Sequence, residues 1–298
     1  MARKHTLGVL GFGEASRVIT ESLHLEGMEG IHVWKRKPWS DETLACGQQA
    51  GVILCDKASE VVSISDIIFS LVTPSAAPYA AQCAAEDIAE KYYLDLNAAS
   101  LHTKEQTADI VNSFGGWFID GAIMGPLKKQ RHKVSTLISG ERADELATIL
   151  QDWGMDVRSI GSKVGLASTV KMIRSVYTKG LEATVLEFMV AAHRYRAIEE
   201  VFDSLEEILA MEPFRYPFRD MVAELVLEQV EHAARRATEM EQVVATMEDL
   251  DVEPLMARGA LQRLRWVADE INLSHLFGDK IPENYKEVLE VIETARNK

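Results

Sequence analysis

Six residues near the start of the 298-residue chain, Gly11-Phe12-Gly13-Glu14-Ala15-Ser16, have the types and spacing to cradle a phosphate. Gly11 permits a sharp turn out of the apolar run Thr6–Leu10, and Gly13 leaves no side chain in the path of a pyrophosphate. Ser16 is small enough for the following helix to pack closely on the strand, although the usual pattern has Gly there. The N-terminus of that helix offers unpaired N–H groups and a positive dipole end to an anion. A Gly-x-Gly-x-x-Ser string alone is weak, because a glycine turn without ligand explains it equally well. The strand before it, the helix after it and a second β-type run, Ile31–Trp34, are what make it a dinucleotide site.

The end of that second run bears on which dinucleotide. NAD enzymes usually carry an acid there for the ribose hydroxyls; this chain has Lys35-Arg36-Lys37-Pro38. Arg36, with Lys35 or Lys37, is suited to charge-assisted bonds to a 2′-phosphate, so NADP is expected ahead of NAD. A solvated basic loop is the plain alternative. Val72-Thr73-Pro74 follows another buried-type run and should face the same ligand, because ligands sit off the C-terminal ends of parallel strands.

The elements that must hold these residues alternate. Beyond Thr6–Leu10 and Ile31–Trp34, β-type runs fall at Ile67–Val72, Tyr93–Leu96, Trp117–Ile119 and Ser135–Ser139, with a last short one within Met155–Ile160. Helical patterns fall at Ala15–Leu25, Ala76–Glu90, Thr103–Ser113 and Glu141–Trp153. That alternation predicts a Rossmann-type, mostly parallel α/β domain over residues 1–163. From about Ala167 the pattern is helical, with breaks near Met211–Pro217, Asp249–Pro254 and Leu273–Pro282, so residues 164–298 are expected to form an all-helical domain opened by a long helix over 167–195.

The bulk composition excludes several classes. A net charge of −14 disfavours nucleic acid, whose affinity comes from neutralised phosphates. Residues 1–164 carry 16 basic and 21 acidic side chains against 16 and 25 in the remainder, so the half nearer neutrality is the one expected to bind a polyanion. No apolar run approaches the roughly 20 residues of a membrane span, and no signal peptide is read at the start. Cys46, Cys55 and Cys83 have no ligand spacing and an odd count, which points to free thiols in the cytoplasm. The eight histidines show no paired spacing, so no metal is expected.

Four segments in order resemble the β-hydroxyacid dehydrogenase superfamily, which includes 3-hydroxyisobutyrate dehydrogenase, tartronate semialdehyde reductase and 6-phosphogluconate dehydrogenase. They are the glycine turn, Tyr93–Ser100, Phe118–Pro126 and Gly165–Ser175. The C-terminal part resembles the helical domain of 6-phosphogluconate-dehydrogenase-like members. The resemblance implies a dehydrogenase or reductase acting on a small hydroxy acid, aldehyde or related alcohol or carbonyl, with Lys171 as general acid/base and Ser175 beside it as the second catalytic residue. It further implies a homodimer. Hydride transfer to a carbonyl builds negative charge on oxygen, which a nearby ammonium stabilises and then protonates. Asn97 is expected beside both cofactor and substrate. Ser100, Gly121, Met124, Gly125, Ser175 and Thr178 are expected around an anionic or carbonyl-containing substrate.

The chain departs from the family pattern where substrate would be read. The family asparagine four residues after the lysine is Ser175, the decarboxylating glutamate of 6-phosphogluconate dehydrogenase is Thr178, and a Gly-Gly pair is reduced to Gly125-Pro126. Decarboxylation of 6-phosphogluconate is therefore disfavoured. An imine reductase is one alternative, although those enzymes usually lack the family lysine, and a catalytically silent NADP-binding scaffold is another.

Overall fold

Strand β1 (Leu7–Leu10) is buried at all four residues and paired on both edges. Unbroken apolar strands are what a parallel sheet needs, because elements pack over both of its faces. The computed structural model describes residues 5–278 and 280–296. With β1, strands β2 (Ile31–Trp34), β3 (Val52–Cys55), β4 (Ile67–Ser70), β5 (Tyr92–Asp95), β6 (Trp117–Ile123), β7 (Thr136–Ser139) and β8 (Val157–Ser159) form one sheet of order β3-β2-β1-β4-β5-β6-β7-β8. Only the β6–β7 pairing is antiparallel. Successive residues alternate between two apolar cores: Ile67 and Phe69 point into one, Ile68 into the other.

Helices α1 (Glu14–Leu25), α2 (Asp41–Gln49), α3 (Ala58–Ser63), α4 (Ala77–Ala84), α5 (Leu101–Ser113), α6 (Leu127–Gln130) and α7 (Ala143–Asp152) connect the strands. Two start at serine caps: Ser40 Oγ accepts from Thr43 N at 3.2 Å and Ser100 Oγ from Thr103 N at 3.3 Å. The long helix α8 (Leu166–Tyr195) follows. Contacts divide the chain inside α8, into a unit ending at Ser175 and one beginning at Val176.

The second unit continues α8 and adds α9 (Ile198–Leu209), α10 (Phe218–Leu227), α11 (Gln229–Asp249), α12 (Leu255–Arg265), α13 (Leu273–Phe277) and α14 (Tyr285–Arg296), with a π-helical stretch at Trp266–Ile271. Its core gathers Val230, Ala233, Val267, Ile271, Leu273 and Val288. The Glu187 carboxylate closes the start of α12, accepting from Met256 N at 2.7 Å and Ala257 N at 3.0 Å. The chain is thus a mostly parallel α/β sheet followed by helices, as the strand–helix alternation implies.

Several details differ from the sequence reading. Strand β3 and helices α2 and α3 were not anticipated; β3 is a partly exposed edge strand, and α2 carries no clear apolar face. The single helix expected at Ala76–Glu90 is α4 flanked by short 3-10 turns at Pro74–Ala76 and Ala85–Asp87. The break at Leu273–Pro282 contains α13, which starts because left-handed Asn272 turns its Oδ1 onto His275 N.

Candidate functional site

Beyond β1 the chain crosses toward β2, and beyond β4 toward β5, so the loops after these adjacent strands diverge. A crevice is the geometric result. A cleft of about 710 Å³ lies there, with Gly11 to Ala15, Lys35, Val72, Thr73, Pro74, Asn97, Gly125 and Lys171 on its walls. These residues come from six separated stretches of sequence, and all belong to the first unit.

The glycine turn fits an anion. Gly11 has φ +102°, and a Cβ there would sit 2.2 Å from the Leu71 carbonyl oxygen, so neither turn nor packing tolerates a side chain. A Cβ on Gly13 would meet nothing within 4 Å: the backbone there faces open space. Gly13 is the N-cap residue of α1, and no side chain caps that helix. Its first-turn N–H groups therefore face the cleft without an internal acceptor. Ser16 is fully buried, and its Oγ has no hydrogen-bond partner. The glycine turn and the uncapped helix end fit a dinucleotide pyrophosphate, whereas Ser16, expected beside the cofactor, is not on the cleft wall.

The three cations after β2 are not equivalent. Lys35 donates to Thr43 Oγ1 at 2.7 Å, and Lys37 pairs with Asp56 at 2.7 Å. Arg36 carries no such bond and lines a smaller recess of about 230 Å³ with Trp34, Thr73 and Tyr79. The Arg36 guanidinium is close enough to Tyr79 to favour its phenolate, against the stronger upward push from Cys83.

The opposite wall carries Lys171. Burial holds its amine below the usual lysine range, and the positive charges of Arg174 and Lys104 push in the same direction. Ser175 Oγ donates to the Lys171 carbonyl at 2.9 Å, so its proton is spent within the helix. Arg174 Nη1 donates to the Met124 carbonyl at 2.9 Å, tying α8 to the loop after β6. Of the other sequence candidates, Ser100 caps α5, and Gly121 is packed inside β6 where a Cβ would meet Leu96 Cδ2 at 2.7 Å. Thr178 belongs to the second unit. Asn97 lines the cleft, but its amide is engaged at both ends: Oδ1 accepts from Val72 N at 2.7 Å and Nδ2 donates to Ser70 Oγ at 2.9 Å.

Beneath this wall lies a cluster that the sequence reading missed. Lys104 is fully buried, and its ammonium meets Asp95 Oδ1 at 3.2 Å, Asp120 Oδ1 at 3.0 Å and the Asp95 carbonyl at 2.7 Å. Both carboxylates are fully buried as well. Asp120 then accepts from Ser168 N at 2.8 Å and Ser168 Oγ at 2.5 Å, while Ser139 Oγ accepts from Ala167 N at 3.1 Å. The first turn of α8 is thus capped by side chains from the middle of β6 and the end of β7. Burial raises the Asp95 carboxyl above its ordinary value, opposed by Lys104 and by the bond from Asn97 N. In sequence, Lys104 was one of several polar residues in an amphipathic helix, and nothing marked it as internal.

Comparison with known proteins places this architecture. Residues 192–267 match a domain of unknown function, DUF1932. An uncharacterized 28.5 kDa protein from Methanothermus fervidus is 31% identical over 259 residues, covering 85% of this chain and 94% of its own. The conserved protein MTH1747, of unknown function and described as structurally similar to 3-hydroxyacid dehydrogenases, is 28% identical with TM-score 0.60, over 89% of this chain and 97% of that one. An imine reductase from Myxococcus stipitatus in complex with NADP+ shares the fold at 18% identity, with TM-score 0.72 over 95% and 99% of the two chains. With the sheet order, the free helix end and these relatives together, the chain belongs to the β-hydroxyacid dehydrogenase-like superfamily of NAD(P)-binding proteins, in a branch with a DUF1932 C-terminal domain.

Proposed function

We propose that the protein is an NADP-dependent oxidoreductase interconverting a small carbonyl compound and its alcohol, a hydroxy acid or aldehyde being the favoured class, with Lys171 as general acid/base. The observation that carries this reading is the presence of a partly buried amine, of lowered proton affinity, in the same cleft as an uncapped helix end and a glycine turn. When bound, the nicotinamide would supply or accept the hydride at the substrate carbon.

The chain's own residues do the rest. The α1 N-terminus and Gly13 hold the pyrophosphate, and Arg36 takes the 2′-phosphate because its neighbours Lys35 and Lys37 are already occupied. Val72, held by Asn97, and the adjoining Thr73 form the floor near the reacting centre. In the reducing direction, the Lys171 ammonium donates its proton to the carbonyl oxygen as negative charge builds there, and the neutral amine recovers a proton from water. Its lowered pKa makes that proton easier to release near neutral pH. Arg174, one turn along the helix and bonded to the Met124 carbonyl, would meet an anionic group on the substrate. A cationic iminium beside Lys171 and Arg174 would be repelled, which ranks imine reduction second. We further assign residues 164–298 to substrate closure and dimerisation in a cytoplasmic homodimer. Ile173, Val176 and Leu186 on α8 are 67%, 77% and 67% exposed, and a second copy would cover them. No helix among the described residues is long and apolar enough to cross a membrane.

The test is NADPH oxidation against a panel of aldehydes, keto acids and cyclic imines. Turnover of a carbonyl is expected, and Lys171→Ala should lower it by about 10²–10⁴-fold. Turnover that survives the substitution would remove Lys171 from the mechanism. NADPH binding without turnover of any compound would favour a silent binding protein.

A further inference from the structure

The mechanism leaves the buried Lys104 cluster without a role. Three elements converge on one ammonium: α5 supplies Lys104, β5 supplies Asp95 and β6 supplies Asp120. Lys104 donates to the Asp95 carbonyl and is ion-paired with both Asp95 Oδ1 and Asp120 Oδ1. Each carboxylate then reaches toward the cleft by a different route. Asp95 Oδ1 accepts from Asn97 N at 2.9 Å, fixing the loop whose amide spans Val72 and Ser70. Asp120 grips Ser168 through both backbone and hydroxyl, and Ser168 lies three residues before Lys171 on one face of α8. Lys104 thus holds two carboxylates, one tied to the loop at Asn97 and the other to the first turn of α8.

We infer that Lys104 is a positioning residue for Lys171: by binding Asp95 and Asp120 together it locks the first turn of α8 against the end of β5 and the middle of β6. The inference rests on the reading of Lys171 as the acid/base group, but its hold on that amine is a property of the free protein. The charged groups around Lys171 are Arg174 on its own helix, Lys104 on α5 with its partners Asp95 and Asp120, and Glu14, Arg17 and Lys35 on the other cleft walls. Of these, Lys104 and Arg174 bear on it most. Taking away Lys104 removes a repelling cation and frees carboxylate charge, so both effects raise the proton affinity of Lys171.

The experiment follows the lysine ε-carbons by NMR in uniformly lysine-labelled full-length protein, without cofactor or substrate, across pH. The Lys171 signal is identified by its loss in Lys171→Arg. In the unsubstituted protein it should titrate below the ordinary lysine value. In Lys104→Met it should move upward by about one pH unit, a tenfold change in proton affinity. Lys104→Met leaves two buried carboxylates uncompensated and can unfold the chain. The double variant Lys104→Met with Asp95→Asn removes one charge of each sign, and a smaller upward shift is expected there, because the repelling cation is gone while Asp120 remains. An unmoved Lys171 titration in either folded variant overturns the inference, as does an ordinary value in the unsubstituted protein. Turnover surviving Lys171→Ala would instead overturn the acid/base reading and leave this titration result standing.

Discussion

Two helices begin beside the same cleft, and they treat their N-termini in opposite ways. At α1 the cap residue is Gly13, no side chain reaches the free N–H groups, and the space where a Cβ would stand is empty. At α8 the corresponding groups are filled from within, by Asp120 on Ser168 and by Ser139 on Ala167. A helix end that stays open must have its orphan donors met by water or a ligand, whereas one filled by a buried carboxylate is committed to the structure. The difference separates the two jobs of the cleft. On the proposed function, one helix end would bind the phosphates and the other would hold Lys171 still.

The largest break in this comparison would come from giving α1 the cap it lacks. Gly13 has φ −88° and ψ −168°, which any residue adopts, and its Cβ direction is open. Gly13→Asp should therefore fold, with a thermal midpoint equal to or above that of the parent, since an Asp cap contributes about 1 kcal/mol. Its carboxylate would occupy and repel the phosphate position, so calorimetry should show NADPH binding weakened by about a hundredfold or more, roughly 3 kcal/mol. Tight NADPH binding by Gly13→Asp would show that the open end is not the phosphate site. A smaller effect sharpens which dinucleotide the open end serves. Arg36→Ala should weaken NADPH by about tenfold and leave NADH unchanged, one charge-assisted contact being removed. Equal loss for both would assign Arg36 to a part of the ligand they share.

The smallest effect concerns how α1 stays in place with its first turn uncommitted. Its last turn is clasped instead: Ser22 Oγ lies 2.5 Å from His132 Nδ1, in a buried contact. Burial first, then the neighbouring Lys133 and Arg131 cations, hold His132 below its ordinary value. The folded protein thus binds fewer protons here than the unfolded chain. This contribution is intact above the unfolded value of about 6.5 and is lost as pH falls through it toward the lower folded one. Urea unfolding at a series of pH values should show this acid-side decline, and His132→Asn should flatten it. A decline unchanged by the substitution would place the sensitivity elsewhere.

The open helix end was legible in the sequence because its signal is local. Gly11, Gly13 and the flanking apolar runs sit within about ten residues, and their conformational demands follow from residue type. Arg36 was readable for the same reason, although only the structure shows Lys35 and Lys37 taken up by Thr43 and Asp56. The filled end was not legible. Asp95, Lys104, Asp120 and Ser168 are separated by up to 73 positions and meet only through the order of β5 and β6 in the sheet. A lysine in an amphipathic helix gives no sign by type that it faces inward. Lys171 lies between these cases: its neighbours in sequence resemble a known motif, but the burial that lowers its proton affinity, and the lesser push from Arg174 and Lys104, show only in the fold.

Asn97 adds a constraint on how such a cleft can change over time. It borders the ligand space, yet both ends of its amide are bound to Val72 and Ser70. A substitution there would disturb two strand ends before it altered any selectivity, and Asp120 and Ser168 are restricted in the same way. Arg174 and Ser175 are freer, one linked through a single bond to a loop carbonyl and the other bonded only to its own helix. Descendants of this fold that acquire new substrates should therefore vary first along that turn of α8, with the Asn97 side of the cleft inherited nearly intact.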